Sequence, residues 1–112
     1  MSLHMTSSQI KFERNKEEKI IYAIDHDENE EEIVVTLNET VYDLKRKIEK
    51  KFHLHTDILK DKKIRKKGAK DRTFKDLGDN DTSLAFNHIH NDSRIYFSTL
   101  KNNGGKLKIV KN

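Results

Sequence analysis

The chain has 112 residues, of which 33% are apolar and 38% charged, with a formal net charge of +4. That length suits one domain with a small core, and so high a charged fraction leaves part of the chain outside it. No apolar run approaches a membrane span in length, and the lack of cysteine excludes disulfides, thiolate metal sites and cysteine nucleophiles.

The first residues, MSLHMTSSQ, carry no apolar signal core and are read in part as a cloning remnant. Residues 1–18 are expected to be a flexible N-terminal segment, 19–100 the folded domain, and 101–112 a basic tail. Lys19–Ile24 has the β-branched character of a strand, with Ile20, Tyr22 and Ile24 sharing one face. In the run Asp25–Glu32, DHDENEEE, six of eight residues are acidic. Glu32–Leu37 then alternates, Ile33, Val35 and Leu37 on one face and Val34 and Thr36 on the other. Two strands and a polar connection predict an antiparallel hairpin with an acidic tip.

Asn38–Phe52 is the clearest predicted helix. Thr40 is placed to cap it and Asp43 to complete a capping box. Val41, Leu44, Ile48 and Phe52 form one apolar stripe, and Lys45, Arg46, Lys47, Lys50 and Lys51 are expected to cover the other faces. Beyond it, Ile58-Leu59 and Thr73-Phe74 are each candidates for a short third strand, flanking a basic run read as a loop. That run, Lys60–Arg72, holds eight Lys and Arg against two Asp. Gly78 and the polar residues after it mark a turn. Ser83–Phe86 reads as a single helical turn. Arg94–Leu100 reads as a last strand with Ile95 and Phe97 inward, Tyr96 and Ser98 outward.

The order strand, strand, capped helix, short strand, single turn, last strand, Gly-Gly resembles that of ubiquitin-like domains. TVYDLKRKI resembles the family's helix, and SLAFNHIHNDSRIYF its segment from a leucine-bearing turn through a buried aliphatic, Ile89, to the last strand. The likeness covers roughly residues 19 to 105. It implies an α+β fold, the ubiquitin-like β-grasp, with a mixed four- to five-stranded sheet packed on one main helix. One subgroup is resembled more closely, the C-terminal ubiquitin-like domain of the splicing factor 3A large subunit. It shares the Ser83-Leu84-Ala85-Phe86 turn and the diglycine followed by basic residues, Gly104-Gly105-Lys106. The basic insertion here is longer, and the tail ends KLKIVKN rather than in an arginine-rich run.

That resemblance implies an RNA-binding module of pre-mRNA splicing, hence a nuclear protein, with a small nuclear RNA stem-loop or splicing proteins as partners. Lys101, Gly104, Gly105, Lys106 and Lys108 would follow a phosphate backbone. Lys62, Lys63, Arg65, Lys66 and Lys67 would form a second contact surface, and Tyr96 is the ring best placed to stack on an unpaired base. The alternative is a protein-interaction domain of ubiquitin type, or a modifier processed after Gly105. Against the modifier, seven residues follow Gly105, the hairpin tip is acidic, and Ser98 stands where the family exposes an aliphatic.

His53-x-His55 and His88-x-His90, with Asp57 and Asp92 nearby, have a spacing compatible with zinc but are read as surface histidines. No phosphate loop, HExxH motif or nucleophile elbow is present, so no enzyme activity, metal or cofactor is expected. No membrane partner is expected either, and the isolated domain is expected to be a monomer.

Overall fold

The computed structural model describes residues 16–68 and 73–100. Strands β1 (Glu18–Ile24) and β2 (Glu30–Thr36) pair antiparallel, with Ile21 opposite Ile33 and Tyr22 opposite Glu32. Ile33 and Val35 point into the core as their alternation predicts, and Ile20, Tyr22 and Ile24 do share a face. That face is the outer one: Ile21 and Ala23 are fully buried, while Ile20 stays 41% exposed.

The hairpin turn is built by its acids. Asp25 accepts from the backbone N–H groups of Asp27 and Asn29 at 2.9 and 2.8 Å, and from the Asn29 amide at 3.0 Å. Glu28 then takes a left-handed backbone, φ 66°, the position that usually selects glycine in a hairpin loop of this length.

Helix α1 (Val41–Lys51) starts at the expected capping box, with Thr40 Oγ1 accepting from Asp43 N and Asp43 Oδ2 from Thr40 N. The first two helical N–H groups, which no helix can satisfy internally, donate to the Thr82 and Asn80 carbonyls. The turn that follows Gly78 is therefore the seat of the helix N-terminus. Ser83–Asn87 closes as one turn, and it buries Leu84 against the core.

One strand comes from a segment expected to be loop, and another falls on the Thr73-Phe74 candidate. β3 (Arg65–Lys67) lies inside the basic run and pairs with both β4 (Phe74–Asp76) and β5 (Arg94–Tyr96). Ile58-Leu59 is not a strand. It forms turns under the helix, where Leu59 is fully buried and Leu59 N–H donates to Glu49. An Arg-Lys-Lys strand has neither β-branched residues nor apolar alternation, so only its neighbours define it. β5 is shorter than Arg94–Leu100, although Phe97 N–H still donates to the Ile24 carbonyl.

The sheet order is β2-β1-β5-β3-β4, with β1 and β5 parallel and the other pairs antiparallel. Among the described residues, α1 covers one face of this mixed five-stranded sheet. Val41, Leu44 and Ile48 from the helix meet Ile21, Val35, Leu84 and Ile95, and Phe52 meets Phe97 edge to face at 4.9 Å.

The helix also buries two charges. Lys45 was expected on the solvent face, yet it is only 5% exposed and donates to the Lys60 carbonyl and to Asn80. Glu49, 2% exposed, accepts from the backbone N–H groups of Asp57 and Leu59. Each polar end holds the long connection from α1 to β3 against the helix. Lys47, also expected at the surface alone, is half-buried and bonded to Glu39 and the Val34 carbonyl.

Candidate binding surface

The register decides which side chains meet on the uncovered face of the sheet. Arg65 lies opposite Tyr96, Tyr22 opposite Arg94, and Lys67 opposite Phe74. Alternation puts all six on the side away from α1. Phe74, 48% exposed, packs its ring edge to face on Tyr96, centroids 5.0 Å apart and planes at 89°. Lys67 Nζ stands 5.9 Å from the Phe74 ring, and the Arg94 guanidinium 6.0 Å from that of Tyr22. Ile20 and Val34, 41% and 44% exposed, extend the apolar surface toward β2.

Carboxylates on the same face answer its cations. Arg94 Nη2 donates to Glu30 at 2.6 Å, and Arg65 Nε lies 3.5 Å from Asp76. Hydrogen bonds to the Tyr96 hydroxyl and then to Glu30 raise the pKa of Arg94. At the hairpin end a groove of about 410 Å³ opens between the acidic tip (Asp25, Glu28) and Lys63, Arg65, Phe74 and Tyr96.

The sequence-predicted contact residues are distributed unevenly on this frame. Arg65, Lys67 and Tyr96 come together on the outer face, with Lys63 at its groove. Lys66 pairs with buried Ile95, on the helix side of the sheet, and donates to the His88 carbonyl at 2.8 Å. Its pKa is lowered, by burial first and by Lys75 second. Lys62 Nζ reaches the Leu100 carbonyl at 3.3 Å. Lys101, Gly104, Gly105, Lys106 and Lys108 lie outside the described residues.

Phe74, Arg94 and Tyr22 belong to the same surface, although the sequence does not mark them as contact residues. Arg94 was legible as the residue two before Tyr96 on one strand. Phe74 was not, because its place depends on β3 existing. The residues weighed as metal ligands include four with left-handed backbone, His53, Asp57, His88 and Asp92, at 58° to 68° in φ. Asp and His are among the residues that tolerate this region best, which gives them a turn-forming role here. Among the described residues no group of three or more His, Cys, Asp or Glu could hold a metal ion, and no helix is long and apolar enough to cross a membrane.

No protein-family model and no curated protein matches the chain. Solved structures do. The C-terminal ubiquitin-like domain of mouse tubulin-specific chaperone e superposes with a TM-score of 0.60 at 11% identity, over 74% of this chain and 87% of that one. A ubiquitin-like domain from tubulin-binding cofactor B gives 0.58 at 20% identity, over 73% and 89%. A designed protein based on ubiquitin gives 0.52 at 14%, over 70% and 84%.

The fold is the ubiquitin-like β-grasp. At such low identity the likeness is one of architecture, and the side chains on the sheet are this chain's own. On this β-grasp sheet the outer face combines aromatic rings with paired arginines.

Proposed function

We propose that this ubiquitin-like domain is a non-catalytic protein-interaction module that binds its partner through the outer face of the sheet. The observation that carries this is the Phe74–Tyr96 contact, flanked by Arg65, Lys67 and Arg94 on a face that no other described element covers. Interface centres are enriched in Tyr, Phe and Arg; the rings bury much area at low entropic cost and the guanidinium adds several hydrogen-bond donors. Arg65 and Arg94 are offset by Asp76 and Glu30, so the patch is close to neutral. That balance suits a mixed protein surface better than a polyphosphate.

The test compares wild type with a Phe74→Ala/Tyr96→Ala variant as immobilised bait in cell extract. Proteins retained by the first and lost by the second, with both baits folded by circular dichroism, identify the partner class. Identical retention by the two baits contradicts the reading.

A second reading is RNA binding in pre-mRNA splicing, in the nucleus. It is favoured by Lys67 beside the Phe74 ring and by Lys63 at the groove, with the basic diglycine tail as a further contact. Titration of a stem-loop RNA at two salt concentrations separates the two. RNA binding through several phosphates falls steeply with salt, and truncation after Asn103 weakens it. A modifier would instead be cleaved after Gly105 in extract, a change in mass that spectrometry detects.

A further inference from the structure

We propose that the cleft between the first half of α1 and the segments 60–64 and 77–80 is a binding site for a phosphate group, with Lys45 as its buried cation. The cleft has a volume of about 180 Å³, and of its lining residues only Lys63 also borders the groove at the outer sheet face. Its walls include Val41, Ile64 and Leu77, and its charged groups are Lys45, Lys60, Lys62 and Lys63 against Asp61 and Asp79.

The argument starts from the ammonium group of Lys45. It has three N–H donors. Two go to neutral acceptors, the Lys60 carbonyl at 3.1 Å and Asn80 Oδ1 at 2.7 Å. Among the described residues no carboxylate is paired with it. Glu49, one turn further along the helix, has committed its oxygens to the N–H groups of Asp57 and Leu59 and to Arg46.

A charge that is 5% exposed normally has a counter-charge, because desolvation is costly without one. Consistent with that shortfall, burial and then Lys63 hold the pKa of Lys45 below the ordinary lysine value, against the opposing pull of Asp61 and Glu49. Four lysines against two aspartates leave the cleft two positive charges in excess, the charge of a phosphate monoester with its sign reversed. A water takes about 30 Å³ of liquid, so the volume accommodates a tetrahedral group and a few waters.

The experiment follows backbone amide resonances of the wild-type chain on adding inorganic phosphate, against sodium chloride at equal ionic strength. Saturable shifts centred on residues 60–64 and 77–80 are expected from phosphate and not from chloride. Lys45→Met removes the cation at similar volume and Lys63→Gln removes an exposed one. Each should weaken binding about tenfold or more, a loss of about 1.4 kcal/mol. If Lys45→Met does not fold, Lys63→Gln alone carries the comparison. A phosphoserine peptide forms a second arm: tighter binding than inorganic phosphate assigns the group to a partner's side chain, and equal binding assigns it to the free ion. Shifts spread over the exposed lysines of α1, no saturation, or undiminished binding by the folded variants would overturn the proposal.

Discussion

Lys47 Nζ lies 2.8 Å from Glu39 Oε2 and 2.9 Å from the Val34 carbonyl oxygen, while Glu39 Oε1 accepts from Thr36 N–H. β2 is an edge strand, so its outward backbone groups are open to pairing with another chain. One ion pair occupies two of them. Lys47→Ala is expected to lower stability by about 1 kcal/mol, a modest figure because the pair is partly exposed and screened. Ile48→Ala, one residue on and fully buried, should cost about 2–5 kcal/mol. Urea midpoints measure both, and equal midpoints would contradict the assigned helix face.

Glu28 offers a gain in stability. Its left-handed backbone costs an L-residue about 1–2 kcal/mol, and glycine avoids that at the expense of a more flexible unfolded chain. Glu28→Gly should therefore raise stability by about 0.5 kcal/mol. A lower urea midpoint for the variant would mean that the Glu28 side chain holds the tip in place.

The hairpin tip also has a pH signature. Burial pushes the pKa of Asp25 up, but hydrogen bonds from the Asn29 side chain and backbone and from Asp27 N–H, with the charge of His26, outweigh it. The folded pKa is thus below the ordinary value for an aspartate. The tip's contribution is complete above the unfolded pKa and is lost as pH falls through the folded one. Carboxyl titration by NMR should give Asp25 a lower midpoint than the same residue in unfolded chain, and Asn29→Ala should move it back up.

The Phe74–Tyr96 pair should be energetically coupled without holding up the fold. Both rings lie on the outer face, so each single alanine variant should remain folded. A double-mutant cycle is expected to return about 0.5–1.5 kcal/mol of interaction, the range for edge-to-face pairs. A coupling near zero would mean the rings move independently, which would weaken the case for a preformed binding surface.

Features carried by short-range pattern were legible in the sequence. The Thr40–Asp43 capping box, the stripe Val41, Leu44, Ile48, the inward Ile33 and Val35, the Ser83–Phe86 turn and the inward Ile95 and Phe97 all depend on residues a few positions apart. Helix and strand periods express that directly. Tertiary structure alone decided the rest. Strand β3 exists because β4 and β5 flank Arg65–Lys67, and it brings Phe74 onto Tyr96. Lys45 and Glu49 are buried because the 53–64 connection and the Asn80 turn fold over a helix face that the sequence presents as polar. In β1, five apolar residues of seven leave either face eligible for the core, and the register with β2 and β5 turns Ile21 and Ala23 inward. Strand side chains alternate with a period of two, so a shift of one residue reverses every side chain, and only pairing with distant segments selects the register.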